Sequence, residues 1–268
     1  MSSLTKVFGR SNNILIGMVH LLALPGAPNF AGDIKEVYNR AKKEALTLQK
    51  TGFDGIIVEN FNDAPFNIDS VGLNTTTAIA GIVSSLRETL DIPIGVNVQF
   101  NDNESEIAIA STCGGQFVRV EVFIENVVTP QGIVEASSSE IMRDLKDLGF
   151  GQPLIFSDIL SKGTTRLVEE DSSVAELANK ASKAGADVVL LTGKSTGNSM
   201  DLTTVESIST GSDLPIFVGS GVKHNTVGKT LEYSEGVIVG SALKKEGEVE
   251  NRVLEERASD FVNRVREK

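Results

Sequence analysis

Phe217-Val218-Gly219-Ser220-Gly221 and Val237-Ile238-Val239-Gly240-Ser241 decide the reading of this chain. Each is an apolar run that stops at Gly-Ser. A strand covered on both faces of a parallel sheet needs the apolar run. A Gly at its end lets a ligand approach the backbone, where free N–H groups and a hydroxyl can hold an anion. In an eight-stranded α/β barrel the turns after the last two strands commonly form such a phosphate site. The pair therefore predicts both a fold and a ligand class, if six earlier strands precede it.

Six candidates do. Short β-branched runs at 14–19, 55–59, 94–98, 117–122, 154–157 and 188–192 lead up to the last two, 216–219 and 237–240. Helical patterns lie between them. Ile34, Val37, Tyr38, Ala41, Ala45 and Leu48 share one face of the first. Ser173-x-x-Glu176 opens a later one as a capping box, and Ser137-x-x-Glu140 could open another. Unbroken strand–helix alternation predicts a parallel sheet. We expect a single (β/α)8 domain over residues 1–268.

A faint internal repeat supports closure into a barrel. Lys50-Thr51-Gly52-Phe53-Asp54-Gly55-Ile56 resembles Lys183-Ala184-Gly185-Ala186-Asp187-Val188-Val189, and Asp91-Ile92-Pro93-Ile94 resembles Asp213-Leu214-Pro215-Ile216. Either the halves of the barrel are related, or Gly-x-Asp is a generic helix-to-strand turn. Gly52 to Pro93 is longer than Gly185 to Pro215. The surplus falls between the second strand and its helix, from Phe61 to about Thr75, and reads as a mobile lid over the C-terminal mouth or as ordinary packing over it.

Composition narrows the function. A net charge of −11 argues against a general nucleic-acid binder, which needs cationic contacts to phosphate, but permits one local anion site. One cysteine, Cys113, excludes an internal disulfide and a cysteine-rich zinc site, and is expected to pack as a small apolar residue. No apolar stretch reaches membrane-spanning length and the N-terminus lacks a signal-peptide core, so a cytoplasmic protein without an integral membrane segment is expected, with a homo-oligomer open.

Ile16-Gly17-Met18-Val19-His20-Leu21-Leu22-Ala23-Leu24-Pro25-Gly26-Ala27-Pro28 and Gly52-Phe53-Asp54-Gly55-Ile56-Ile57-Val58-Glu59-Asn60-Phe61-Asn62-Asp63-Ala64-Pro65-Phe66 resemble the BtpA (BtpA/SgcQ) family. Thr192-Gly193 with Thr196-Gly197, and Val218-Gly219-Ser220-Gly221-Val222, fit it too. The resemblance spans essentially the whole chain and implies an aldolase-type TIM barrel. The family is named for a role in photosystem I biogenesis, although such proteins occur in non-photosynthetic organisms, and the resemblance implies no settled reaction. After the fifth strand the family pattern is roughly Asp-Val-His-Val-Lys-His. Here Asp158-Ile159-Leu160-Ser161-Lys162-Gly163 keeps the Asp and the Lys and lacks both histidines.

Residues ending barrel strands face the active mouth. That rule collects His20, Glu59, Asn60, Asn97, Gln99, Arg119, Glu121, Asp158, Thr192, Ser220 and Ser241. His20, Glu59, Asp158 and Arg119 are the catalytic candidates. His20 reads as an acid/base group or metal ligand, or as a shaper of the Leu24-Pro25-Gly26 turn. Glu59 and Asp158 read as a carboxylate pair for proton transfer or a divalent metal, or Glu59 as the buried ion-pair partner of Arg119. Asn60, Asn97, Thr192 and Lys194 are substrate-binding candidates. Gly219, Ser220, Gly221, Gly240 and Ser241 are the phosphate-binding candidates. Lys162 could bind an anion, but lies beyond its strand, where a Schiff base is unexpected. Gly193-Lys194-Ser195-Thr196 is no P-loop, because Val188 stands where that motif needs Gly. His224 is expected on the surface. The expectation is an isomerase, epimerase or lyase acting on a sugar or nucleotide phosphate, with a divalent metal or FMN as cofactor candidates. The alternative is a non-catalytic biogenesis factor for a membrane complex such as photosystem I.

Overall fold

The computed structural model of the chain describes residues 2–68, 70–167, 172–193 and 201–267. Its strands are β1 (Ile14–His20), β2 (Gly55–Glu59), β3 (Ile94–Asn97), β4 (Phe117–Val120), β5 (Val127–Thr129), β6 (Gly132–Val134), β7 (Leu154–Ile159), β8 (Thr165–Arg166), β9 (Val188–Thr192), β10 (Ile216–Gly219) and β11 (Gly236–Val239). Its helices are α1 (Ser3–Phe8), α2 (Ile34–Thr51), α3 (Leu73–Arg87), α4 (Asn103–Cys113), α5 (Ser138–Leu148), α6 (Val174–Ala184), α7 (Leu202–Ser209), α8 (Val227–Thr230) and α9 (Glu255–Arg266). Eight parallel strands close in the order β1-β11-β10-β9-β7-β4-β3-β2, and all eight are the strands read from the sequence. The chain is a TIM barrel.

The period of two along each strand divides the apolar residues into two cores. Leu15, Val19, Ile56, Val58, Val96, Val118, Ile155, Val189 and Val237 point outward and pack with Val37, Ala41, Leu48, Ile82, Ile107, Leu177 and Phe261 of the helices. Ile14, Ile16, Ile57, Phe117, Phe156, Val188, Phe217 and Ile238 point inward and fill the barrel. Nothing in the sequence reading announced α1, which closes the N-terminal end of the barrel. Its Leu4 and Phe8 join the inner core, with the Phe8 ring 5.4 Å from that of Phe117. Replacing Leu4 with Ala should cost about 2 kcal/mol, read by urea denaturation, because it opens a cavity beneath packed rings.

The repeated Gly-x-Asp is a fastening. Gly52 and Gly185 end α2 and α6 in the left-handed conformation, at φ 96° and 105°. The aspartate two residues on then accepts from an N–H at the start of the preceding barrel strand: Asp54 from Leu15, the second residue of β1, at 2.7 Å, and Asp187 from Ile155, the second of β7, at 2.9 Å. Gln116 and Glu235 do the same for Ile94 and Ile216.

Capping follows the sequence in one case and departs from it in another. Ser173 and Glu176 form the expected capping box of α6. Ser137 does not cap α5, because its hydroxyl donates instead to the Val122 carbonyl at 2.9 Å. A second departure sits at the mouth. The segment after β4 folds back as the β5–β6 hairpin, and β8 joins it in a three-stranded antiparallel sheet ordered β6-β5-β8. The segment from Phe61 lies at the same mouth. It begins with a 3-10 turn, Phe61–Asp63, and is tied down where Asp63 accepts from Leu24 N and Asn62 donates to Leu21 O.

Candidate active site

The inward face of nearly every strand turns polar at its C-terminal end. His20, Glu59, Asn97, Arg119, Asp158 and Thr192 continue the rows that begin with aliphatic and aromatic side chains, and Gln99 and Glu121 extend two of them. All are buried. Arg119 is the hub. Its Nε and Nη2 donate to the two oxygens of Asp158 at 3.0 and 2.9 Å, and its Nη1 lies 3.7 Å from Glu59 Oε2. The Gln99 amide ties Glu59 to a third carboxylate, donating to Glu121 at 2.7 Å and to Glu59 at 3.1 Å. From behind, Glu106 accepts from Arg119 N and Asn97 donates to Arg119 O.

Arg119 shares its charge among three carboxylates, and Glu121 is the one whose proton is held. Burial pushes Glu121 up to about 8, with Asp158 and Glu59 adding to the rise and Arg119 opposing it. Burial also works against the Arg119 charge, but Asp158, Glu121 and Glu59 outweigh it and hold the proton more firmly than usual. Burial draws Lys162 below the ordinary lysine range, helped by Arg119 and resisted by Glu59, Asp158 and Glu121. Burial holds His20 well below the usual imidazole range, with Lys244 and Lys162 contributing, so its ring is neutral at pH 7.

Glu121 makes a pH prediction. Its folded pKa lies above its unfolded one, so the stability it contributes is complete below the unfolded value and lost as pH rises through about 8. Glu121→Gln keeps the form that accepts from Gln99 and cannot ionise. Its stability in urea should fall less between pH 5 and pH 9 than that of the wild type, by roughly 4 kcal/mol. Equal falls would mean that Glu121 is already ionised at neutral pH.

His20, Glu59, Arg119 and Lys162 face a cavity of about 40 Å³ whose opposite wall is Gly219, Ser220, Gly221, Gly240 and Ser241. Among the described residues, the N–H groups of Gly221, Val222, Ser241 and Ala242 and the hydroxyls of Ser220 and Ser241 meet no protein partner. Gly240 is required by His20, since a Cβ there would lie 2.9 Å from the imidazole Cε1. Phe61 covers the other side of that ring, centroid to centroid at 4.9 Å. Several buried polar atoms around this mouth also lack a hydrogen-bond partner: His20 Nδ1, Glu59 Oε2, Glu121 Oε2, Ser161 Oγ and Thr192 Oγ1. Buried polar groups are normally satisfied, so such a concentration marks a place where a ligand or water belongs.

The expected residues separate into two groups. His20, Glu59, Arg119, Gly219, Ser220, Gly221, Gly240 and Ser241 come together around one cavity. Asp158 does not line it: both its oxygens are taken by Arg119, which leaves no carboxylate pair with Glu59. Asn60 and Asn97 do not line it either. Asn60 braces the chain by donating to Gln99 O and Asp63 and accepting from Gln99 N, and Asn97 spends its amide on Arg119 O. Thr192 is buried at the end of β9, outside the cavity lining. Lys194, Thr196 and Gly197 lie outside the described residues. His224 is half-buried rather than on the surface, bonded to Arg257 O and edge-on to Phe261. Cys113 packs partly buried against the outer core. Among the described residues, no group of three His, Cys, Asp or Glu side chains is placed to hold a metal ion.

The sequence gathered Glu121 and Gln99 with the strand ends but gave them no role. Their signal was the alternation Arg119-x-Glu121 and Asn97-x-Gln99, which keeps each pair on one face. In the sequence Phe61 reads only as the start of the long connection after β2.

Eight parallel strands closed into a barrel, with a glycine–serine wall and a charged floor at the C-terminal mouth, define the chain as a TIM barrel. The BtpA family profile matches residues 11–267, and the chain belongs to that family. It is 34% identical over 259 residues to the photosystem I biogenesis protein BtpA of Synechocystis sp., covering 96% of this chain and 90% of that protein. It is also 34% identical over 252 residues to an uncharacterised protein of Pyrococcus furiosus, covering 94% of each. Among solved structures, (S)-3-O-geranylgeranylglyceryl phosphate synthase of Thermoplasma acidophilum, in complex with its substrate sn-glycerol-1-phosphate, superposes with a TM-score of 0.64 over 100% of both chains. At 13% identity that likeness establishes the fold. No helix among the described residues is long and apolar enough to cross a membrane.

Proposed function

We propose that this protein is an enzyme that grips a small metabolite by its phosphate and moves a proton on the carbon frame beside it, as an isomerase, epimerase or lyase. The observation that carries this reading is the coincidence, around one cavity, of unpaired backbone N–H groups on one wall and unpartnered acid/base atoms on the other. The N–H groups after β10 and β11 take the phosphate oxygens. Glu59 is the base: its Oε2 lies 3.7 Å from Arg119 Nη1 and has no hydrogen bond. Glu121 is the acid. Its pKa, raised by burial to about 8, keeps a proton available to give at neutral pH. Glu59 removes a proton next to a carbonyl, while Glu121 and the Lys162 ammonium stabilise the oxyanion that develops. Asp158 fixes Arg119 and so acts on the base from one step away.

A thermal-shift screen of phosphorylated carbonyl compounds, with and without divalent metals, tests binding. Proton NMR in deuterium oxide then tests chemistry. A stabilising compound should exchange a carbon-bound proton for deuterium with the wild type and fail to do so with Glu59→Gln. If no phosphorylated compound shifts the melting point, the reading is wrong.

The second reading is an assembly factor for a membrane protein complex, such as the Synechocystis relative is named for. Exposed apolar side chains on the small sheet and beside it, Val128, Ile133 and Leu167, favour it. Val128→Ser with Ile133→Ser should then abolish the biological role while leaving ligand binding intact.

A further inference from the structure

The phosphate cavity is too small to hold a whole metabolite. At about 40 Å³ it has room for about three water-sized groups, which is enough for a phosphate and little else. A second cavity of about 290 Å³ opens on the far side of Phe61 and Lys162, which line both. Its walls are of an unusual kind for a sugar. Phe61, Phe66 and Phe100, all half-buried, provide three phenyl rings, with Pro130 from the β5–β6 turn opposite. Gln99, Glu121, Thr129 and Ser161 supply the polar edge. Of these, Glu121 Oε2 and Ser161 Oγ are buried without a hydrogen-bond partner. A sugar offers hydroxyls on every side and would leave most of them unmet by three phenyl rings. A flat ring with polar atoms on its rim suits both features: its faces stack on the phenylalanines and its rim meets the unpartnered oxygen atoms.

Resting on the phosphate reading above, we propose that the substrate is a phosphorylated compound with a flat, polar-edged aromatic ring, of the nucleoside monophosphate kind, whose ring occupies the phenylalanine pocket and whose phosphate occupies the glycine–serine cradle. Phe61 and Lys162, at the junction, then lie beside the linker between ring and phosphate. At that junction Glu59 of the small cavity and Glu121 of the large one share the Gln99 amide.

Isothermal titration of the full chain with inorganic phosphate, ribose 5-phosphate, the four ribonucleosides and their 5′-monophosphates tests this. At least one monophosphate should bind 10-fold or more tighter than ribose 5-phosphate. Phe66→Ala should remove about 10-fold of that affinity and leave ribose 5-phosphate binding unchanged, the loss expected for one base–aromatic contact. Phe100→Leu, which keeps apolar volume against Val122 and Val127, should act in the same direction if Phe66→Ala proves unstable. If ribose 5-phosphate binds as tightly as every monophosphate, the ring pocket is refuted and the phosphate reading stands. If nucleosides bind and their phosphates bind no better, the phosphate reading falls and the ring pocket stands. Binding of none of these compounds overturns both.

Discussion

Arg119→Met should destabilise the protein by about 3–5 kcal/mol, the cost of stripping the partner from buried charges. The guanidinium is 4% exposed and holds Asp158 through two hydrogen bonds, with Glu59 at 3.7 Å. Without it, Asp158 and Glu59 remain in the barrel with no cation of their own. Arg119 also opposes the rise of Glu121, so without it Glu121 holds its proton more firmly and the loss should shrink as the pH is lowered from 8 to 5. Urea denaturation at the two pH values measures it. Arg119→Met with Asp158→Leu should recover part of the loss, because the double change removes the pair rather than orphaning one half. A single mutant as stable as the wild type at pH 8 would mean that water or Lys162 already neutralises the carboxylates. Arg119→Lys should be intermediate: a lysine supplies charge but cannot bind both oxygens of Asp158 in a fork.

That pairing shows where the sequence stops being informative. The strands were legible because a parallel barrel buries both faces, so each strand reads as an apolar run. The glycine–serine ends were legible because close backbone approach demands small residues. The set of mouth residues was legible from the period of two. Which carboxylate the arginine takes was not. That depends on how β4 and β7 align, Arg119 opposite Phe156 and Val120 opposite Ser157, and register between strands leaves no mark in composition. Asn60 and Asn97 resemble ligand-binding residues in sequence for a similar reason. Buried amides that brace backbone and buried amides that bind substrate occupy the same positions. The three-stranded sheet was hidden by its brevity, since β5, β6 and β8 are too short to carry a period. In hindsight Val127-Val128-Thr129-Pro130-Gln131-Gly132-Ile133-Val134 contains the hairpin signal, two apolar pairs around Pro and Gly. Phe66 and Phe100 come from two separate connections and become one pocket only when the barrel brings their strands side by side.

Gly240→Asp should lower the affinity for the phosphorylated compound that most raises the melting temperature by at least about 100-fold, or about 2.7 kcal/mol. Two effects act together. The new Cβ falls 2.9 Å from His20 Cε1, so the imidazole must leave its place against the strand end. The new carboxylate then stands beside the Ser241 N–H, where the ligand's own negative charge would sit. A chain with net charge −11 has little general attraction for anions, so on the proposed reading a cradle of backbone N–H groups carries the binding and cannot be replaced by the protein's overall field. Gly240→Ala separates the two effects, because it moves His20 without adding charge and should cost less. Ser241→Ala removes one hydroxyl and keeps the N–H, and should cost about 5-fold, the worth of one hydrogen bond. Each variant should keep the circular dichroism spectrum of the wild type, because Gly240 follows β11 and lies outside the barrel ladder. A Gly240→Asp protein that is folded and binds the same phosphorylated compound as tightly as the wild type would mean that the phosphate lies elsewhere. The charged mouth would then have to be explained without it.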